Sequence, residues 1–134
     1  WLETDLFLFV NTHLDHVKNT TREEQIKILI GEVNRVNQGA KKIILMGDFN
    51  DGPESNVRKI ILKEWTNLQD TWQQNEETSH HEFNGQKANG QRIDWILVDK
   101  KLKFKDTKML KFQENGIYPS DHFPIITELQ VDQA

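Results

Sequence analysis

Lys41 to Ser55 reads KKIILMGDFNDGPES. Ile43 to Met46 is an uninterrupted apolar run, the pattern of a strand covered on both faces, and it breaks off at Gly47 in front of Asp48, Asn50 and Asp51. Carboxylates and an amide do nothing for packing at the end of a buried strand. In sheet enzymes, however, strand ends are where a rigid base hands over to chemistry. The local alternative is a turn in which Gly47 supplies an unusual backbone angle and Asp48 or Asn50 caps it.

Upstream, Asp5 to Thr12 (DLFLFVNT) is apolar through Leu6 to Val10 and reads as a second strand covered on both faces. A helix is predicted from about Thr21. Thr21 and Glu24 form a capping box, Ile26, Leu29, Ile30, Val33 and Val36 recur at helical spacing, and Gly39 is a natural C-cap. With Lys42 to Met46 as the next strand, this is the spacing of a crossover unit, so both strands belong to one sheet. Downstream, Ser55 to about Trp65 is predicted helical behind Pro53, with Val57, Ile60, Ile61 and Trp65 on one face. Leu68 to Gln91 reads as loops, with Asn-Gly at Asn84 and Asn89, around a short extended piece, HHEF. Three strands are predicted after it: Arg92 to Val98, Phe104 to Phe112 and Phe123 to Val131. The second is dotted with Lys, the mark of an edge strand. The pattern is mixed α/β, with a helical layer on one side of a sheet.

Composition narrows the classes. A chain of 134 residues supports a single core, and no stretch approaches the roughly 18 apolar residues of a membrane span. The absence of Cys removes disulfides, thiolate nucleophiles and Cys-based zinc sites. A net charge of −4 does not favour broad binding to a phosphate backbone, although a bound cation reverses the field locally.

Four junctions carry similar chemistry. Asn11, His13, Asp15 and His16 follow the first strand, and Asp48, Asn50 and Asp51 follow the second; Asp94 lies between Ile93 and Trp95, and Asp121 and His122 form SDH before the last strand. Alone, HLDH reads as a solvated loop and SDH as an Asx turn. Asp94 is harder to explain away, because a carboxylate in an apolar strand has to be paired, whether with Arg92, a Lys or a His. His80, His81 and Asp70 read as loop residues. Together, the four junctions form a set rich in carboxylate, amide and imidazole, which suits Mg²⁺ or Mn²⁺ better than structural zinc.

The ordered set NTHLDH, a helix with Arg22 and Gln25, ILMGDFND, RIDWILV and SDHFPI resembles the endonuclease/exonuclease/phosphatase superfamily, the deoxyribonuclease-I-like metal-dependent phosphoesterases. Within it, the set is most similar to small bacterial hydrolases with an NTHLDH loop and a terminal SDHFP. The resemblance implies a four-layer α/β sandwich with the site at one end of the sheets. It also implies roles: His13 contacts the scissile phosphate; Asp48 orients or deprotonates the attacking water; Asn50 holds water and phosphate. Asp121 lies at a metal site to which Asp48 and Asn50 also contribute, His122 binds phosphate or assists proton transfer, and Asp94 fixes the tautomer of His122. Asn11 joins His13, Asn50 and His122 in substrate binding. Asp51, beside Gly52 and Pro53, belongs to the turn.

The superfamily pattern also has a first half, including a Glu in an LQE segment that is the principal metal ligand. Neither that Glu nor the first-half Asn can be placed here, and LQD at Leu68 to Asp70 lies after GDFN. The chain therefore reads as the C-terminal half of the domain, residues 1 to 134 giving half of a four-layer sandwich. Alone it is expected to be inactive, and to bury its unpaired apolar face against the absent half or by self-association. The expected substrate is a phosphate ester, with a small molecule, lipid head group or nucleotide favoured over long nucleic acid. Lys100 to Lys111 is the only dense basic run, and edge protection accounts for it. A nuclease with the same site, and a non-catalytic binding or assembly fragment, are the alternatives.

Overall fold

The computed structural model describes residues 1–3, 6–38, 41–83, 85 and 90–131, with the side chains of residues 2 and 3 excepted. Asp5, Gly39, Asn84 and Asn89, named above as strand start, helix cap and turn residues, lie outside the described residues. The elements are β1 (Leu2–Glu3), β2 (Phe7–His13), α1 (Asn19–Asn37), β3 (Lys42–Asp48), α2 (Asn56–Glu64), β4 (Leu68–Asp70), β5 (Asp94–Asp99), β6 (Lys103–Met109) and β7 (Ile125–Gln130). β1, β2, β3, β5 and β4 form a mixed sheet in that order, and β6 pairs with β7 in a separate two-stranded sheet.

The crossover unit forms as its spacing requires. β2 and β3 run parallel, joined by α1, with Phe7 opposite Lys42 and His13 opposite Asp48. Alternation along β2 sends Leu8 and Val10 into the core beneath the helices, where they meet Ile26, Ile30 and Val33 of α1 and Val57 and Ile61 of α2. Phe7 and Phe9 point to the other face and pack with Ile44, Val98, Leu102, Phe104 and Leu129. β6 and β7 thus partly cover the sheet face opposite the helices. Helices, mixed sheet and small second sheet are successive layers, the half-sandwich arrangement expected from the sequence.

Several boundaries differ from the expectation. The helix begins at Asn19 with Lys18 as N-cap and no side-chain cap, so Thr21 and Glu24 lie inside it and form no capping box. The loop side chain of Asp15 does the local work instead, accepting from the backbone N–H groups of Val17 (3.0 Å) and Lys18 (2.8 Å). α1 ends on Gln38 in the left-handed region (φ 47°), whose N–H donates to Asn34 O. α2 is capped by Ser55, which accepts from the N–H of Arg58. The expected loop after Leu68 contains the short strand β4, paired antiparallel with β5. Three residues are too few for a periodic signal.

Candidate active site

Strand register builds the site. His13 lies opposite Asp48 across the parallel β2–β3 pair, and Asp48 lies opposite Asp94 across the antiparallel β3–β5 pair. His13, Asp48 and Asp94 therefore stand on one rung of three adjacent strands. On a pleated sheet, residues directly opposite share a face, so three side chains far apart in sequence converge. His13 Nε2 is 3.3 Å from Asp48 Oδ2. One turn of the pleat back, Asn11 lines a shallow cleft with Met46, Asp48, Asp94 and Ile96.

The GDFN turn divides its side chains between core and site. Phe49 is fully buried and stacks on Trp95, with ring centroids 4.2 Å apart, and its N–H donates to Ile93 O. Asn50 adopts φ 51°, a left-handed conformation that Asn tolerates better than most residues. This turn brings the Asn50 N–H onto Asp48 Oδ1 (2.9 Å) and its side-chain amide onto Leu14 O (2.7 Å). The amide thus pins the HLDH loop and leaves its carbonyl oxygen as the available acceptor. Gly47 is required by its φ of 144°, and because a Cβ there would meet Thr12 O at 1.9 Å. Asp51 accepts from Arg22 Nε (3.1 Å), and Gln25 Oε1 accepts from the N–H of Asp15 (2.8 Å). The α1 residues Arg22 and Gln25 therefore tether the two loops flanking the rung.

His122 completes the cluster. Its Nδ1 is 2.7 Å from Asp94 Oδ2, while its Nε2 lies 3.6 Å from Asp48 Oδ2 and 4.0 Å from Asp121 Oδ1. The partner of Asp94, left open between Arg92, Lys and His in the residue reading, is His122. The Arg92 side chain is committed elsewhere, to Asp70 (2.6 Å) and Glu76 (2.8 Å). The hydrogen bond to Asp94 is the largest influence on His122 and, with the charges of Asp48 and Asp121, raises its pKa against the opposing effect of burial. Asp48 is pushed up chiefly by burial and also by the Asp94 charge, while the Asn50 N–H works in the opposite direction. For Asp121, desolvation pushes upward, but His122 and His80 together outweigh it and hold the carboxyl below its ordinary value.

The loop residues of the sequence reading separate. Asp70 is a half-buried ion-pair hub for the buried Arg58 and Arg92, and His81 is buried against Phe123, so both are structural. His80 belongs to the site: its Nε2 is 3.3 Å from Asp121 Oδ2, and its ring centroid is 4.7 Å from that of His122. Ser79 was also not singled out from the sequence. It is fully buried, and its hydroxyl accepts from the N–H groups of Ile93 (2.9 Å) and Asp94 (3.2 Å). The adjacent pair His80–His81 was the only sequence signal for this segment.

Among the described residues, two groups place one donor atom each within 4.8 Å: His80, Asp121 and His122, and Asp48, Asp94 and His122. Asp48 and Asp121 fall in different groups, linked by His122. Oxygen and imidazole donors without thiolate fit a hard or borderline divalent cation.

A mixed sheet with outer helices, a partial second sheet and a strand-end cluster of imidazoles and carboxylates define the deoxyribonuclease-I-like class of fold. The chain belongs to the endonuclease/exonuclease/phosphatase family, whose model matches residues 3–122. Enzymes of this family are hydrolases and are generally dependent on divalent metals. No curated protein sequence matches the chain. Among solved structures, it is similar to a conserved protein of unknown function from Enterococcus faecalis (28% identity, TM-score 0.81), covering 94% of this chain and 50% of that one. It is also similar to a mannosyl-6-phosphatase from Bacteroides thetaiotaomicron (25% identity, TM-score 0.78), covering 93% and 51%. The catalytic domain of human Nocturnin with bound sulfate shares the fold (23% identity, TM-score 0.70), covering 90% and 45%. The chain thus spans about half the length of each of these structures.

Proposed function

We propose that this chain carries the phosphate- and water-handling part of a metal-dependent phosphoesterase, hydrolysing a phosphate ester by an activated water. The observation that carries the proposal is the His13–Asp48–Asp94 rung with His122 held by Asp94 at 2.7 Å. Hydrolysis requires an oriented water, donors to the phosphoryl oxygens and protonation or neutralisation of the leaving oxygen. Asp48, its basicity raised by burial, is the group to orient the water and accept its proton. Asp94 keeps the His122 proton on Nδ1 and favours the imidazolium, so Nε2–H donates to a phosphoryl oxygen. His13, with its side chain 73% exposed, is free to swing from Asp48 onto the phosphate. Asn50, its amide N–H on Leu14 O, offers its carbonyl oxygen to the water or cation, and Asn11 lines the ester-binding cleft. Asp121 on one side of His122, and Asp48 with the carbonyl oxygen of Asn50 on the other, would hold Mg²⁺ or Mn²⁺, which would supply positive charge to offset the developing negative charge on the phosphate.

A small-molecule, lipid-head-group or nucleotide ester is favoured over long nucleic acid. Two of the basic residues of β6 and its flank face carboxylates, Lys105 with Glu128 and Lys111 with Glu77, and the net charge of −4 does not favour a long phosphate backbone. We further propose that residues 1 to 134 are the C-terminal half of the domain. The half-buried face of Phe7, Phe9, Met46 and Ile96 then packs on the remaining half, or on a second copy when the chain stands alone. The test is a screen of phosphate esters with Mg²⁺ and Mn²⁺, run on the chain alone and on the chain joined to an N-terminal half of the fold. Turnover is expected only in the joined protein and lost in Asp48→Ala and His122→Ala. Activity that survives both substitutions rejects the site.

A further inference from the structure

The segment Ser79–His81 is not used by the mechanism above, yet it touches the site from two sides. The Ser79 hydroxyl holds the backbone at the start of β5, beside Asp94. Its carbonyl accepts from the N–H of Phe123 (2.7 Å), and the N–H of His81 donates to Asp121 O (2.8 Å), so SDH is strapped to residues 79–81 by backbone bonds. His80 and His122 face each other across an isolated antiparallel bridge. The strap bonds only the backbone of Asp121 and does not itself stop rotation of the side chain, which is 43% exposed and whose contact with Ser120 Oγ is long, at 3.4 Å. The His80 ring, with Nε2 3.3 Å from Asp121 Oδ2, is placed to stop that rotation.

We propose that His80 is a positioning residue: its Nε2–H holds one oxygen of Asp121, so that the other, Oδ1, is presented beside His122 for a divalent cation. This rests on the phosphoesterase reading, in which Asp121 is a cation ligand. His80 has a donor atom beside Asp121 and His122, but with Nε2 turned to Asp121 Oδ2 it acts through that carboxylate. A carboxylate so fixed loses less rotamer freedom when the metal binds, and removal of such partners typically weakens metal affinity about 10- to 100-fold. The effect belongs to the donor atom at the Nε2 position, not to the bulk of the ring. Gln reaches that position with an amide N–H, whereas Asn reaches only as far as Nδ1, and Leu fills the space without a donor.

The experiment measures Mn²⁺ binding by calorimetry, and the Mn²⁺ concentration for half-maximal turnover, in the chain joined to the N-terminal half of the fold. His80→Leu is expected to weaken Mn²⁺ about 10- to 100-fold, with KM for the ester at saturating Mn²⁺ little changed, and His80→Gln to restore most of the affinity. Mn²⁺ affinity unaltered in His80→Leu overturns the proposal, as does His80→Gln losing as much as His80→Leu. If His80→Leu does not fold, the two polar variants decide: Gln binding Mn²⁺ more tightly than Asn supports the proposal, and equal affinity rejects it. Asp48→Ala separates the two readings. Its loss of turnover alongside an unaltered His80→Leu rejects only the role of His80, whereas no turnover in the parent joined protein rejects the phosphoesterase reading itself, and turnover retained in both Asp48→Ala and His122→Ala rejects the site.

Discussion

Replacing Asp94 by Asn removes one charge from the centre of the site while preserving shape. Asp94 Oδ2 lies 2.7 Å from His122 Nδ1, the length of a strong charge-assisted hydrogen bond. The amide offers two outcomes, both unfavourable. If its carbonyl faces Nδ1, the imidazolium loses its counter-charge; if its N–H faces Nδ1, the proton is forced to Nε2 of a neutral ring. Loss of a positioned acid–base group costs roughly 10²- to 10⁴-fold in rate, equivalent to about 2.7 to 5.4 kcal/mol of transition-state stabilisation. A second consequence concerns pH. Asp94 is the largest influence raising the pKa of His122, so Asp94→Asn lowers that pKa. The donating imidazolium then disappears at lower pH, and the alkaline limb of kcat/KM moves downward. The assay is hydrolysis of p-nitrophenyl and bis-p-nitrophenyl phosphate by the joined protein across the pH range at saturating Mg²⁺, with circular dichroism as a control for folding. A variant within about threefold of the parent, or one whose alkaline limb does not move, refutes the role given to the pair.

Other outcomes follow from the same contacts. Asp70→Asn leaves Arg58, whose side chain is 10% exposed, without its carboxylate and Arg92 with Glu76 alone, and is expected to cost about 3 to 5 kcal/mol in urea denaturation; a loss below about 1 kcal/mol contradicts the hub assignment. Gly47→Ala forces a Cβ into Thr12 O at a φ of 144°, and is expected to destabilise by roughly 3 kcal/mol or more or to abolish soluble expression; a near-neutral result refutes the β2–β3 geometry. The pKa of His122 is raised above its unfolded value of about 6.5, so its stabilising contribution is fully present below that pH and is lost as pH rises through the folded value. The stability gap between the parent and His122→Gln should therefore narrow from mildly acidic to alkaline pH, and a gap that widens would reverse the assignment.

Much of this was legible in the sequence because it is locally encoded. The β2–α1–β3 unit follows from two apolar runs flanking a helical repeat, and side chains with no packing purpose mark the strand ends. Phe49 between Asp48 and Asn50 shows why the pattern reads cleanly: one residue enters the core and its neighbours are left for the site. Other features had no such signal. The capping box at Thr21 and Glu24 does not form because the helix already begins at Asn19, behind a loop in which Asp15 accepts from the N–H groups of Val17 and Lys18. β4 is too short to show periodicity, and Asp70, His80 and Ser79 sit in a polar stretch with no repeat to follow.

The sequence by itself determined the longer elements, the crossover and the identity of the chemical groups, since apolar periodicity and residue type act within one segment. Only the tertiary structure decided which groups meet. Pairing register puts His13, Asp48 and Asp94 on one rung. A buried hydroxyl and a backbone strap carry His80 to Asp121, and the burial of Arg58 and Arg92 turns Asp70 from a loop carboxylate into their counter-charge. Register and burial arise from contacts between segments distant along the chain, and no window of sequence contains both partners.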